Sequence, residues 1–259
     1  MTPRPVRAFA VVSILTLPAV AAAQGPPPAE EYRFRVEYRE FRPVLSGEVQ
    51  RGFGEIEGTL VDLEDDLGLP EKRTFAVKAV LRLAAAHKLR GSYTPFSYRG
   101  DVTARRTIRF EGSTFERFTR VVTDLKGGYY TAEYEWDVFR GSSGYLGLLV
   151  GAKVVDADTL IAGPNEGIRE QETLRVPIPV LGATSRVYAG RLSLEGEVAG
   201  LSIGSRGYLY ELDFSARLHL SDRLAVGGGY RLLSSEGEED VEFFKLRFRG
   251  WQFGLEIGL

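Results

Sequence analysis

The feature that most constrains this chain is a hydrophobic period of two. Tyr32, Phe34, Val36 and Tyr38 alternate with Arg33, Arg35, Glu37 and Arg39. The same pattern runs through Phe75, Val77, Ala79, Leu81 and Leu83, through Tyr130, Ala132, Tyr134, Trp136 and Val138, and through Leu192, Leu194 and Val198. It returns at Tyr208, Tyr210, Leu212, Phe214, Ala216, Leu218 and Leu220, and again at Trp251, Phe253, Leu255, Ile257 and Leu259. A helix repeats every 3.6 residues, whereas alternation puts successive side chains on opposite faces of a strand. Six such segments predict an all-β chain. The longest uncharged run beyond the N-terminal prolines is the 12 residues 141–152, too short for a helix that needs about 20 residues to cross a bilayer. If the chain enters a membrane it does so as a closed barrel, because lipid leaves no backbone group unpaired.

Connections sort into two kinds. Residues 86–88, 140–144, 182–186 and 221–223 read as short turns. Between them lie longer polar stretches at 42–72, 100–117 and 156–174, and small loops near 204–207 and 235–240. Short turns at one end and long loops at the other are the layout of a transmembrane, up-and-down antiparallel barrel. Ten strands are predicted, near 31–42, 72–85, 88–99, 118–139, 145–156, 174–183, 186–203, 207–220, 223–234 and 241–259. Pro177 and Pro179 cannot donate ladder hydrogen bonds, and without their hairpin the count is eight.

The first residues read as an address. Arg4 and Arg7 precede the apolar stretch 8–20, and Ala21, Ala22 and Ala23 stand before Gln24. This is the pattern of a secretory signal peptide over 1–23, cleaved between Ala23 and Gln24. A proline-rich leader at 24–30 and a barrel domain at 31–259 follow.

Alternation alone does not say which face looks inward. A soluble barrel binding an apolar ligand would turn its apolar face in. Three features favour lipid on the apolar side. Aromatic residues sit near strand ends, Tyr32, Trp136 and Tyr188 at the turn side and Tyr38, Tyr130, Tyr208 and Tyr230 at the loop side, as in an interfacial girdle. The polar face mixes Lys78, Arg82, Arg90, Arg191, Arg217 and Arg231 with Glu133, Glu135, Glu195, Glu197, Glu211 and Asp213, and includes Gly227 and Gly229, which suits a narrow, filled lumen. The third feature is the final strand, apolar at every second position to the end.

That strand, GWQFGLEIGL, resembles the C-terminal assembly signal of bacterial outer-membrane barrels, carried here by Trp251, Phe253, Leu255, Ile257 and Leu259; Leu259 stands where Phe or Trp is usual. The layout also resembles an uncharacterised family of small outer-membrane barrels, on VDLEDDLGL at 61–69, HKLRGSYTPF at 87–96, RVPIPVLG at 175–182 and GGYR at 228–231. The resemblance implies the fold, an outer-membrane location, and outer-membrane lipids, lipopolysaccharide and the barrel-assembly machinery as partners. It implies no activity.

Composition narrows the chemistry. There is no cysteine, so no disulfide, thiolate cluster or cysteine nucleophile. The 33 basic and 35 acidic residues leave a net charge of -2, which gives nucleic acid nothing to attract it. The two histidines, His87 and His219, fall at the turn end, away from the outer rim where a lipid-modifying barrel enzyme would work. Glu195, Glu197, Glu211 and Asp213 with Arg191, Arg217 and Arg231 read as a lumen ion network rather than a catalytic carboxylate pair. Asp62, Glu64, Asp65 and Asp66 are a weak candidate for a divalent metal, since the spacing departs from a calcium loop. Arg99, Arg105, Arg106, Arg109, Arg117 and Arg120 flank the second long loop as candidate lipopolysaccharide contacts. The expectation is a barrel without cofactor or catalytic residues, serving membrane structure or narrow solute passage. The alternatives are a lipid-modifying enzyme and the soluble barrel.

Overall fold

A computed structural model describes residues 30–54, 56–110, 112–165, 167–202, 207–239 and 242–259. The expected signal peptide, its expected cleavage point and all of the expected leader except Glu30 lie outside these residues. The described strands are β1 (Phe34–Arg51), β2 (Val61–Asp62), β3 (Thr74–Ala84), β4 (His87–Thr103), β5 (Ile108–Phe110), β6 (Ser113–Phe115), β7 (Arg120–Gly141), β8 (Gly144–Gly163), β9 (Ile168–Ala189), β10 (Leu192–Ser202), β11 (Gly207–His219), β12 (Leu224–Glu239) and β13 (Glu242–Gly258). No described helix is long and apolar enough to cross a membrane. Each long strand pairs antiparallel with its neighbour in sequence, and β13 returns to pair with β1 from Arg35↔Gly258 to Arg51↔Glu242. Ten strands therefore close a barrel, the eight-strand count is set aside, and β2 pairs with β1 from outside that ring.

The alternation is turned inside out relative to a soluble protein. Phe34, Leu89, Val150, Leu194, Phe214 and Trp251 face outward and are exposed, while Arg35, Glu37, Arg90, Glu195 and Arg217 are buried. A soluble barrel with an apolar interior is thereby ruled out. On the loop side, Tyr38, Phe75, Tyr93 and Tyr130 form a run of neighbouring rings, with centroids 6.0, 6.4 and 4.8 Å apart. Outward-facing charges begin just above this belt, at Arg42, Lys126 and Asp156. From Leu220, just past the end of β11, to Tyr210 the outward apolar face spans ten residue steps. At about 3.3 Å per residue and a tilt near 40°, that is about 25 Å, the height of a barrel's lipid-facing band. Tyr32 and Tyr188 are corrections to the girdle. Tyr32 is buried between the guanidinium groups of Arg35 and Arg82, each 4.6 Å from its ring centre, and Tyr188 turns inward to Glu30.

Several expected loops are strand instead. β1 continues to Arg51, β8 and β9 stay paired up to Gly163↔Ile168, and β12 runs to Glu239. The turn expected at 182–186 lies within β9, and the chain reverses at Gly190, whose φ of 61° is the left-handed conformation glycine favours. Gly182 serves close approach instead, because a Cβ there would lie 2.4 Å from the Val198 carbonyl oxygen.

The extra strand length makes the rim uneven, and this explains the prolines. β9 pairs with β10 only up to Leu181↔Gly200, while β9 itself starts at Ile168. The Tyr188 N–H donates to Ser143 on the β8 side, so by alternation Pro177 and Pro179 turn their nitrogens to the β10 side, beyond the last β9–β10 pair. β3 is short and both its neighbours overhang it. β1 pairs with β3 only to Phe41↔Thr74 and β4 only to Tyr93↔Val77. Arg33 accepts from Arg82 on the β3 side, and Ala86 accepts from Asp137 on the β7 side, so Pro43 and Pro95 also aim at the β3 side, Pro43 above the end of β3 and Pro95 level with Phe75 but beyond the last β3–β4 pair. All four strand prolines thus sit beyond the last paired residues of the ladder their nitrogens face.

Above the membrane band the interior becomes apolar. Residues 61–69 fold inward, so that Val61, Leu63, Leu67 and Leu69 pack with Leu45, Tyr98, Val121 and Ile161 and with Ile108, Phe110 and Phe115 of the β5–β6 hairpin. This roof closes the loop end with an ordinary hydrophobic core.

Candidate functional site

The chemistry-bearing feature is the set of charged side chains that alternation turns inward between the turns and the roof. At the turn end Glu30 accepts from Arg35 at 3.3 Å, Arg82 at 2.8 Å and the Tyr188 hydroxyl at 2.5 Å. Burial works to raise its pKa, but the charges of Arg35, Arg186 and Lys88 outweigh it and hold the carboxyl below its ordinary value. Arg186, at 0% exposure, grips Glu195 and reaches Glu256 at 2.7 Å. Arg217 meets Glu37 at 2.6 Å, Glu195 at 3.0 Å and Glu256 at 3.2 Å. Lys88, also at 0% exposure, bonds Glu135 at 2.7 Å and Asp137 at 3.0 Å beneath the Tyr145 ring.

Further up, Lys78 and Arg90 converge on Glu197, and Arg39 bridges Glu37 at 2.6 Å and Asp213 at 2.7 Å. These contacts link Arg35, Arg39, Lys78, Arg82, Lys88, Arg90, Arg186 and Arg217 to Glu30, Glu37, Glu135, Asp137, Glu195, Glu197, Asp213 and Glu256. These interior charges match eight to eight, and Arg140, partly exposed at the turn end, adds a ninth cation at 3.4 Å from Asp137. Nearest the roof, Lys153 and Arg231 hold Glu211 at 2.5 and 2.6 Å, the Tyr129 hydroxyl donates to it at 2.9 Å, and Lys153 stands 3.7 Å from Glu133. This smaller group is balanced as well. The space left among the side chains around Glu133, Glu211, Asp213 and Gln252 is about 30 Å³, room for a water molecule or two.

Of the residues expected in this network, Glu195, Glu197, Glu211, Asp213, Arg217 and Arg231 are all there. Arg191 is not. β10 starts at Leu192, which leaves Arg191 exposed in the turn beside Gly190. Glu30, Arg186, Lys88 and Glu256 were missed. The last three obey the same alternation, whereas Glu30 precedes the first strand and its sequence gives no sign that it folds back into the barrel.

The remaining candidates separate. His87 lies at the turn end with its Nδ1 2.5 Å from the Tyr134 hydroxyl, and His219 meets Ser193 at 2.9 Å. Ser193 is 1% exposed, so this Ser–His pair has no open approach. Among the described residues no three acids or histidines gather to hold a metal. Asp62 instead accepts from the N–H groups of Glu64 and Asp65, both at 2.8 Å, and Gly68 ends the turn with φ 63°. Burial works to raise the Asp66 carboxyl, and hydrogen bonds from Arg106 and the Asp62 N–H hold it below its ordinary value. Of the six loop arginines, Arg106 is engaged by Asp66 and Arg120 by Asp101 at 2.6 Å. Arg99, Arg105, Arg109 and Arg117 are exposed and have no ion pair among the described residues. The residues expected to form an assembly signal, Trp251, Phe253, Leu255, Ile257 and Leu259, all face outward, and the Leu259 carbonyl accepts from the N–H groups of Arg33 and Phe34 at 2.8 and 3.0 Å.

No protein-family model matches the chain, and no curated protein matches it. Solved structures do. The outer membrane protease OmpT of Escherichia coli superimposes with a TM-score of 0.57 at 10% identity, covering 87% of this chain and 96% of that one. The translocator domain of the autotransporter NalP from Neisseria meningitidis gives 0.45 at 10% identity over 87% and 88%. Ail of Yersinia pestis gives 0.36 at 10% identity over 86% and 99%. The fold is that of the bacterial outer-membrane β-barrels.

Proposed function

We propose that this chain is a closed, non-enzymatic outer-membrane barrel. It serves as a structural element that spans the membrane and carries a rigid outer cap, rather than as a solute pathway. The observation that supports this reading is the double seal. The inward side chains form a dense ion-pair lattice, in which the space around Glu133, Glu211, Asp213 and Gln252 is about 30 Å³, and the apolar roof of residues 61–69 and the β5–β6 hairpin covers it. Moving a solute through would strip several buried ion pairs of their partners, at about 3–5 kcal/mol for each pair broken. An enzyme would need a general base within reach of a substrate, and both histidines lie at the turn end, one of them against a buried serine. The test is conductance of the purified full chain in a planar bilayer, alongside a gel comparing boiled and unboiled samples. A heat-shifting band with no channel events is expected; steady openings would restore the solute pathway.

A further inference from the structure

The dip in the rim above β3 leaves a cavity of about 130 Å³. Lys72, Arg73 and Thr74 line one side, and Pro95, Phe96, Ser97 and Tyr98 the other. Its height is fixed by its neighbours. Thr74 directly follows the belt residue Phe75 going up β3, and Pro95 stands two residues above Tyr93. Interfacial aromatic belts lie at headgroup level, so the cavity opens about 3–7 Å above that belt, within reach of lipid phosphates.

Its chemistry is cationic beside an apolar wall. Lys72 has no ion pair among the described residues, and Arg73 reaches only Glu40, at 3.9 Å, which Arg42 already holds at 3.0 Å. The Thr74 hydroxyl donates to the Pro95 carbonyl, and Pro95 brings no N–H. The loop arginines are placed differently. β4 and β7 stay paired to Thr103↔Arg120, ten residues above Tyr130, which puts Arg105, Arg109 and Arg117 about 25 Å above the belt. They are too high for lipid phosphates at the membrane surface.

We propose that Lys72 and Arg73 hold a phosphate of an outer-leaflet lipid at this break in the wall, with its hydrocarbon against the aromatic belt below. The inference rests on the membrane-barrel reading above. To test it, the full chain in detergent micelles is loaded with diphosphorylated lipid A, exchanged into lipid-free detergent, and examined by native mass spectrometry. The parent chain is expected to keep the lipid, and the double variant Lys72→Ala/Arg73→Ala to keep it about tenfold less, the loss of one or two charge-assisted hydrogen bonds. Arg105→Ala/Arg109→Ala/Arg117→Ala should match the parent, and dephosphorylated lipid A should not be kept.

Equal retention by the Lys72/Arg73 variant overturns the proposal. So does full displacement of the lipid by millimolar inorganic phosphate, which would make this a site for a free anion. Each sample is also run unboiled on a gel. A parent chain without a heat shift overturns the barrel reading itself, whereas a shifted band with equal retention overturns the headgroup site alone. If the double variant does not shift, Lys72→Gln alone, a milder change in an exposed loop, takes its place in the comparison.

Discussion

At the scale of single residues, the lattice makes each charge depend on its partners. Arg186 is fully buried and serves Glu195 and Glu256 together. Arg186→Met would take from Glu195 and Glu256 the buried cation they share, inside a lipid-facing wall. Glu195 and Glu256 keep Arg217, so the cost falls at the lower end for a broken buried pair, about 3 kcal/mol. It should be read as a lower urea midpoint for the barrel refolded in vesicles. Glu30 permits a pH test. Its carboxyl is held below the ordinary value when folded, so its contribution is complete above the unfolded pKa and is lost as the pH falls through the folded one. Glu30→Gln should therefore lower the temperature of the gel shift at neutral pH, and the gap from the parent should close in strong acid. A gap that stayed constant or widened in acid would contradict this assignment.

At the scale of elements, the strand prolines mark where neighbouring strands stop. Pro177 and Pro179 donate nothing in the parent and face β10 beyond the last pair, Leu181↔Gly200. Replacing both with alanine should change barrel stability by no more than about 0.5 kcal/mol. It would also add two N–H donors where β9 is no longer paired with β10, which invites strand pairing between molecules. The expected result is an unchanged unfolding midpoint with more crosslinked dimer; an unchanged dimer fraction would mean that the edge is protected in some other way.

These elements also show what was legible in the sequence. Alternation in six segments, with the turns between them, located all ten barrel strands and the face of most interior charges, because period two is a local property; Arg191, at a strand end, escaped it. It could not locate strand ends. Gly182 resembles a turn residue until Val198 is seen packed against it, and Pro177 looks like a break in a closed barrel until the rim proves uneven. Tyr32 and Glu30 were unreadable for the same reason, since only tertiary closure brings them between Arg35 and Arg82.

At the scale of the whole molecule, the two seals are independent. The roof depends on loops 52–73 and 104–119, the lattice on the strands themselves. Replacing the hairpin 105–118 with a short Gly-Ser linker should therefore leave the bilayer silent, because the charge lattice still fills the barrel. Channel events in that variant alone would show that the roof is the seal and that the lattice leaks.

The joining of the chain's two ends has a consequence for how the barrel is made. Arg35 pairs with both Glu30 and Glu256, and the Arg33 and Phe34 N–H groups bond the carbonyl of Leu259. Until the last strand meets the first, the interior charges of an open sheet lack part of their complement. They must be kept in contact with water rather than hydrocarbon. Insertion is then a hydrated process that dries only at its final step, and an intermediate missing one strand would have no stable resting place in the bilayer.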